Sequence, residues 1–266
     1  MKIAIFTQSP SLRNERRMRT LMEGLSCMET YDLESGSDLA QDTDVLLSVG
    51  GDGTFLSAAC IVAGKGIPVL GVNFGRMGFL SEYTVEDVIE ALKNRTFSIE
   101  EREMLQVRVD GGESMTALNE VSVTRAGAAM LGVDVTIDGQ SLPTYWADGL
   151  LVATSSGSTA YSLSVGGPIC TPECKVLVIS PVAPHNLNVR PLIVPSSSRL
   201  RLSLRSRQSQ AILSVDNRHM NINCESVLDV SLAQFSLYRV RLSKTNFIGA
   251  LRSKLFWGED VRNESY

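Results

Sequence analysis

The run Gly50-Gly51-Asp52-Gly53-Thr54 follows directly on the apolar stretch Val45-Leu46-Leu47-Ser48-Val49, and it constrains the fold more than any other feature of the chain. An apolar strand that ends among three glycines predicts a sharp turn with converging backbone N–H groups, and residues 54–63 read as the helix that follows. Such a turn holds an anion without side-chain help. Asp52 repels phosphate, yet it suits a proton acceptor for an attacking hydroxyl or a holder of Mg2+, so the loop points to phosphoryl transfer. Taken alone, the same five residues also read as a plain strand-to-helix turn.

Residues 1–96 alternate short apolar runs (3–7, 45–49, 67–72) with stretches of helical spacing (13–26, 55–63, 85–92), the rhythm of a parallel sheet with crossover helices. From residue 97 the texture turns to short β runs, with Asp110-Gly111-Gly112 and Asp138-Gly139 marking tight turns. In residues 199–207 arginine and leucine alternate with period two, which predicts a strand with one solvated face. Residues 246–257 return to helical spacing. The expected fold is therefore α/β plus all-β. A Rossmann-like first domain takes residues 1–96, with residues 245–266 returning to it, and a β-sandwich-like domain takes residues 97–244.

Two further clusters carry polar chemistry. Gly71-Val72-Asn73-Phe74-Gly75-Arg76-Met77-Gly78-Phe79-Leu80 follows a second buried strand and should leave the sheet at the same carboxyl edge as the first loop. Arg76 reads equally as a phosphate clamp or as part of a turn that buries Phe74 and Phe79. The other cluster runs through Asp148-Gly149, the segment 154–164 and Gly166-Gly167-Pro168, where hydroxyls, glycines and one aromatic suit a nucleotide. A serine-capped helix start accounts for part of that composition, though not for the paired glycines. Asn119-Glu120 adds a polar pair between Leu118 and Val121.

Composition narrows the partners. With 25 Lys plus Arg against 29 Asp plus Glu, the net charge of -4 offers no general attraction to nucleic acid or anionic membrane. No stretch approaches the roughly 18 to 20 apolar residues of a membrane span, and the apolar start at residues 3–6 is too short for a signal peptide, so a cytoplasmic location is expected. The five cysteines are scattered and odd in number, as reduced thiols would be. Only His185 and His219 are present, which leaves little for a histidine zinc site or a Ser-His-Asp triad.

In this order, the two glycine loops, Asn119-Glu120, Asp148-Gly149, Gly157-Ser158-Thr159-Ala160-Tyr161-Ser162, Gly166-Gly167-Pro168, Pro184-His185 and Arg190-Pro191 resemble the NAD kinase family over most of the chain. The first loop alone is shared with diacylglycerol and sphingosine kinases. The resemblance implies transfer of the γ-phosphoryl of ATP, or of another phosphoryl donor, to the adenosine-ribose 2'-hydroxyl of NAD. Asp52 would accept the proton, with Gly53 beside it at the phosphate loop and Phe74 and Arg76 of the second loop at the bound cofactor. Asn119, Glu120 and Asp148 would bond NAD through their side chains.

The same resemblance implies that Thr159, Ala160, Tyr161, Ser162, Leu163 and Ser164 enclose the adenine, with Ser156 in contact and Asp216 near the ribose and phosphates. It implies a divalent ion such as Mg2+ with few protein ligands, and a homodimer or homotetramer. Thr154-Ser155-Ser156 replaces the Thr-Pro-Thr of many relatives, and Ser57 stands where many carry Lys or Arg. A lipid kinase of the diacylglycerol or sphingosine type would share the first loop and lack the hydroxyl-rich stretch. A non-catalytic dinucleotide sensor would keep the adenine pocket, though Asp52 argues against it.

Overall fold

The computed structural model of the chain describes residues 1–34, 39–75, 78–242 and 246–258. Met1–Glu101 with Tyr238–Tyr266 make one compact unit, and Arg102–Leu237 make the other.

The first unit is built on a six-stranded sheet in the order Glu29–Leu33, Lys2–Phe6, Val45–Gly50, Val69–Asn73, Leu237–Leu242, Phe97–Arg102. Neighbours from Glu29–Leu33 through Leu237–Leu242 run parallel. Val45–Gly50 is buried along its whole length, as expected for a central strand covered on both faces. Helix Val85–Asn94 opens with a capping box: Thr84 Oγ1 accepts the Asp87 N–H at 3.2 Å, and the Asp87 carboxylate accepts the Thr84 N–H. Its apolar face, Val85, Val88, Ala91 and Leu92, joins the core with Leu21, Leu47, Leu70 and Val72.

Three local expectations shift. The helix after the first loop starts at Asp52 and runs to Ile61, so the acid lies in the first turn, where the helix dipole favours a negative charge. The helical stretch expected over 13–26 is a 3-10 turn, Pro10–Asn14, followed by helix Arg16–Gly24, because Glu15 is extended (φ -70°, ψ 149°). Leu237–Leu242, read as part of the β-rich half, pairs with Val69–Asn73 in the first sheet. Helix Phe247–Leu255, capped by Asn246 Oδ1 accepting the Gly249 N–H at 2.7 Å, belongs to the same unit.

The second unit packs two antiparallel sheets around a shared apolar core, with a smaller cluster of Leu151, Ala153, Cys170 and Val178 beside it. One sheet runs Gln140–Ser141, Leu131–Ile137, Leu200–Arg205, Val227–Leu232, Leu105–Val109, Ser114–Ala117, with Tyr145–Ala147 also paired to Leu131–Ile137. The other runs Leu192–Pro195, Val176–Val182, Gly149–Thr154, Glu120–Arg125, Gln210–Val215, Arg218–Asn223. Leu200, Leu202 and Leu204 face the core while Arg201 and Arg205 are exposed and pair with Asp229 and Asp134, so the period-two pattern is a half-buried strand. Asp110 and Gly111, and Asp138 and Gly139, adopt positive φ at the two turns marked by sequence.

Gly50 and Asn73 are cross-strand partners, so the two loops leave the sheet at one edge. Gly71 shows how closely the second loop passes back over its own strand: a Cβ there would lie 2.7 Å from Leu80 O and 2.9 Å from Ser81 Cα, both backbone atoms. Gly71→Ala is expected to destabilise the protein by about 1–3 kcal/mol, the usual penalty for overpacking. A lowered Tm in a thermal melt checks this, and an unchanged Tm would show that the second loop yields without strain.

Candidate active site

Asp52 joins the two loops of the first unit. Its Oδ2 accepts the Phe79 N–H at 2.8 Å, and its Oδ1 accepts those of Leu80 and Ser81 at 3.1 and 2.9 Å. A carboxylate offers about four lone-pair directions, so three are committed and one is left for a further donor such as a hydroxyl. Gly78 makes the approach possible, since a Cβ on it would lie 2.0 Å from Asp52 Oδ1. Among the described residues, a Cβ at Gly51 or Gly53 would meet nothing within 4 Å. Packing by those residues therefore does not require glycine at either position; Gly53, inside the helix, is less stable than alanine by roughly 0.5–1 kcal/mol, whereas Gly51 is the extended N-cap. Neither adds a side chain that would shield the backbone of the helix start.

Phe74 is tied into this edge from the other side. Its N–H donates to Gly50 O at 3.3 Å, its carbonyl accepts Arg17 Nη2 at 3.0 Å, and the Arg17 guanidinium lies 4.6 Å from its ring centroid. The ring is buried in the core of the first unit, so it supports the loop from below. Arg76 lies outside the described residues.

In the second unit Asp216 repeats the pattern of Asp52. Held at positive φ (52°), it accepts the N–H groups of Leu118, Asn119 and Glu120 at 2.7, 2.8 and 3.1 Å and returns its own N–H to Glu120 O. This fixes the Asn119-Glu120 pair at the start of its strand. Thr154 holds the same turn from the neighbouring strand: its N–H donates to Asn119 O at 2.9 Å and its hydroxyl to Leu118 O at 2.6 Å. The hydroxyl also accepts the Gly157 N–H at 3.1 Å. Gly157 must be glycine, since a Cβ there would lie 2.1 Å from Asn119 O.

The hydroxyl-rich stretch divides by role. Ser158 is fully buried and bonds Ser155 O and Cys170, and Ser155 bonds Pro172 O, so both belong to the framework. Ser156 accepts Arg102 Nη1 at 3.2 Å, a buried arginine that sequence reading passed over because 54 residues separate the two. Thr159, Ala160 and Leu163 are half-buried, Ser162 is buried, and Tyr161 and Ser164 are exposed. Asn119 Oδ1, Glu120 Oε2 and Ser162 Oγ are buried with no hydrogen-bond partner among the described residues.

Burial pushes the Glu120 carboxyl up from 4.5 to about 8, with the nearby Asp216 charge adding to the rise and the Tyr161 backbone N–H opposing it. Burial also raises Asp216, against the pull of its three N–H donors and Arg218. Asn119, Glu120, Ser156, residues 159–164 and Asp216 thus lie around one end of strand Gly149–Thr154. Asp148 does not. It stands at the opposite end, paired with Arg125 through Nε–Oδ1 at 2.6 Å and Nη2–Oδ2 at 3.3 Å, roughly 17 Å along the strand.

With that geometry in hand, comparison with known proteins is direct. A family model described as the ATP-NAD kinase N-terminal domain matches residues 10–96, and one described as the ATP-NAD kinase C-terminal domain matches residues 118–242. The chain is 38% identical over 259 residues to an NAD kinase of Flavobacterium psychrophilum, covering 94% of this chain and 88% of that one. It is 41% identical over 228 residues to an NAD kinase of Bacteroides fragilis, covering 83% and 79%. Among solved structures, a yeast NADH kinase complexed with NADH superposes with a TM-score of 0.87 at 23% identity, covering 99% of this chain and 89% of that one. An NAD kinase from Archaeoglobus fulgidus in complex with ATP superposes with a TM-score of 0.78 at 24% identity, covering 95% and 99%. These two share the fold. The family models over both halves, and relatives this similar over most of the chain, show that the protein belongs to the NAD kinase family.

Proposed function

We propose that this protein transfers the γ-phosphoryl group of ATP to the 2'-hydroxyl of the adenosine ribose of NAD, giving NADP and ADP. The observation that carries this reading is the Asp52 carboxylate, oriented by three backbone N–H groups in the first turn of a helix and flanked by two glycines. The ribose oxygen attacks the γ-phosphorus, the bond to the β-phosphate oxygen breaks, and the hydroxyl proton passes to the free lone pair of Asp52. Positioning and charge stabilisation do most of the work in such transfers. The helix start at Gly51–Gly53 suits the donor phosphates.

In our reading the first unit carries the donor and the second carries NAD. The buried oxygens of Asn119, Glu120 and Ser162, which lack partners among the described residues, take up ribose and adenine donors, and Tyr161 lies against the base. An Asp148 contact needs a ligand that runs the length of its strand or one bound by a second copy, and the homodimer or homotetramer we propose supplies the latter. Edge strand Leu192–Pro195 with Leu187 exposes Leu187, Leu192 and Ile193, a surface suited to self-association.

Among the described residues no three His, Cys, Asp or Glu side chains converge, and Asp52 is largely committed. A divalent ion, Mg2+ in our reading, would take most of its ligands from donor phosphate and water oxygens and would neutralise charge on the donor phosphates. No helix among the described residues is long and apolar enough to cross a membrane, and the cytoplasm is the compartment we propose.

Three measurements test this assignment. Asp52→Asn removes the base, and its amide also faces a backbone N–H where an oxygen accepted before. Turnover is expected to fall by about 10²–10⁴, with a stability loss of roughly 1–3 kcal/mol and NAD binding retained in calorimetry. Near-normal turnover would assign the proton to another group. Tyr161→Ala is expected to weaken NAD binding by on the order of 1 to 3 kcal/mol, and unchanged affinity in the folded variant would take Tyr161 out of the site.

The third concerns pH. The folded-state pKa of Glu120 lies above its ordinary value, so the folded protein holds that proton more tightly than the unfolded chain. The resulting stability is complete below about pH 4.5 and is lost as pH rises through about 8. Glu120→Gln, neutral throughout, is expected to flatten the decline of Tm across that window. A decline as steep as in the unsubstituted protein would place its source elsewhere.

A further inference from the structure

Three consecutive peptide units behind Asp52 carry a charge at each end. Their N–H groups, on Phe79, Leu80 and Ser81, point at the Asp52 carboxylate. Their carbonyls point the other way, at two cations, one buried (Arg239) and one half-buried (Lys254). Lys254 Nζ donates to Gly78 O, and Arg239 Nη2 donates to Phe79 O at 3.2 Å and Leu80 O at 3.1 Å. A peptide polarised by a cation at its oxygen is a stronger donor at its nitrogen, so each unit links a positive side chain to the same carboxylate.

The two cations differ in what the fold asks of them. Arg239 is a strand residue, 4% exposed, that spans two carbonyls and pairs with Glu82 and Glu100, so it ties the sheet to the loop. Lys254 arrives from the last turn of helix Phe247–Leu255, in which only Ala250 is buried. Its ammonium lies 3.6 Å from Glu82 Oε2 and 4.9 Å from the Phe79 ring centroid, with a side chain only 8% exposed. Phe247 of the same helix meets Phe79 at 6.4 Å between centroids. Burial lowers the lysine's pKa, Glu82 and Asp52 raise it, and Arg239 lowers it further. An apolar side chain would dock this helix on Phe79 without the desolvation of an ammonium. What the ammonium adds is a donor to one particular carbonyl, that of the peptide whose N–H holds Asp52 Oδ2.

We propose that Lys254 is a positioning residue for phosphoryl transfer: by holding the Gly78 carbonyl it fixes the 78–79 peptide, and through it the direction in which Asp52 presents its remaining lone pair. This rests on Asp52 being the proton acceptor. It gives the C-terminal helix a role in the reaction without contact with either substrate.

The test is steady-state kinetics with NAD, ATP and Mg2+ on Lys254→Met, which keeps the apolar stem and loses the charge. Misplacing a reacting group by an ångström lowers the rate on the order of 10- to 100-fold, and a drop of that size in kcat is expected. KM for NAD is expected to stay within about twofold, because no ground-state contact is lost. Lys254→Arg, which restores a charged donor, is expected to recover most of kcat. In an Asp52→Asn background the methionine substitution is expected to cost little more, since both changes act on one carboxylate.

Unchanged kcat in Lys254→Met overturns the proposal. So does a loss confined to KM for either substrate, which would make Lys254 a binding group, or the same loss in both backgrounds. Failure of Lys254→Met to fold, seen in its thermal melt, also overturns it, because the lysine would then serve the fold alone. Asp52→Asn with normal turnover is a separate result that removes the base assignment itself.

Discussion

A carboxylate that accepts three successive backbone N–H groups organises the loop-bearing edge of the first sheet. Asp52 sits in the first turn of helix Asp52–Ile61 and pins residues 79–81, so the helix start and the second loop are placed by a single side chain. Hydrogen bonds from neutral donors to an ion are stronger than neutral pairs, and three on one carboxylate set its position closely. Two glycines follow from it. Gly78 leaves space for the carboxylate, and Gly71 leaves space for the loop where it passes the strand.

The second unit uses the same device for a different end. Asp216 also collects three consecutive N–H groups, but it is buried beside Glu120, and burial raises the proton affinity of both carboxyls. Asp52 has cations behind its peptides, whereas the Asp216–Glu120 pair has fewer compensating charges and is set to keep a proton. A protonated Glu120 both donates and accepts hydrogen bonds, as a sugar hydroxyl does, and Asn119 Oδ1 beside it, unpartnered among the described residues, is an acceptor. In our reading, one arrangement serves proton transfer and the other serves recognition.

Much of this was legible in sequence because it is local. Period-two runs separated by Asp-Gly turns specify the antiparallel sheets, and apolar runs alternating with helical spacing specify the parallel one. The glycine loop was visible as chemistry out of keeping with its surroundings, whereas the Asn119-Glu120 pair, unremarkable alone, gained meaning only from the family resemblance. Other features were not legible for a physical reason. The bond from Lys254 to Gly78 O spans 176 residues and those from Arg239 to the second loop about as many, and no periodicity records which carbonyl a distant cation will meet. The Arg125 pairing that holds Asp148 at the far end of its strand depends on strand register.

By itself the sequence determined the two textures, the loop that brings an acid to a phosphate-sized turn, and membership of the NAD kinase family, since residue type and spacing along the chain suffice for these. Only the tertiary structure decided that strand Leu237–Leu242 joins the first sheet, that Phe74 is buried beneath Arg17, and that two cations stand behind the peptides that grip Asp52. Such contacts form between segments far apart in the chain. They are set by which surfaces must bury apolar area together and which polar groups, once buried, must find a partner.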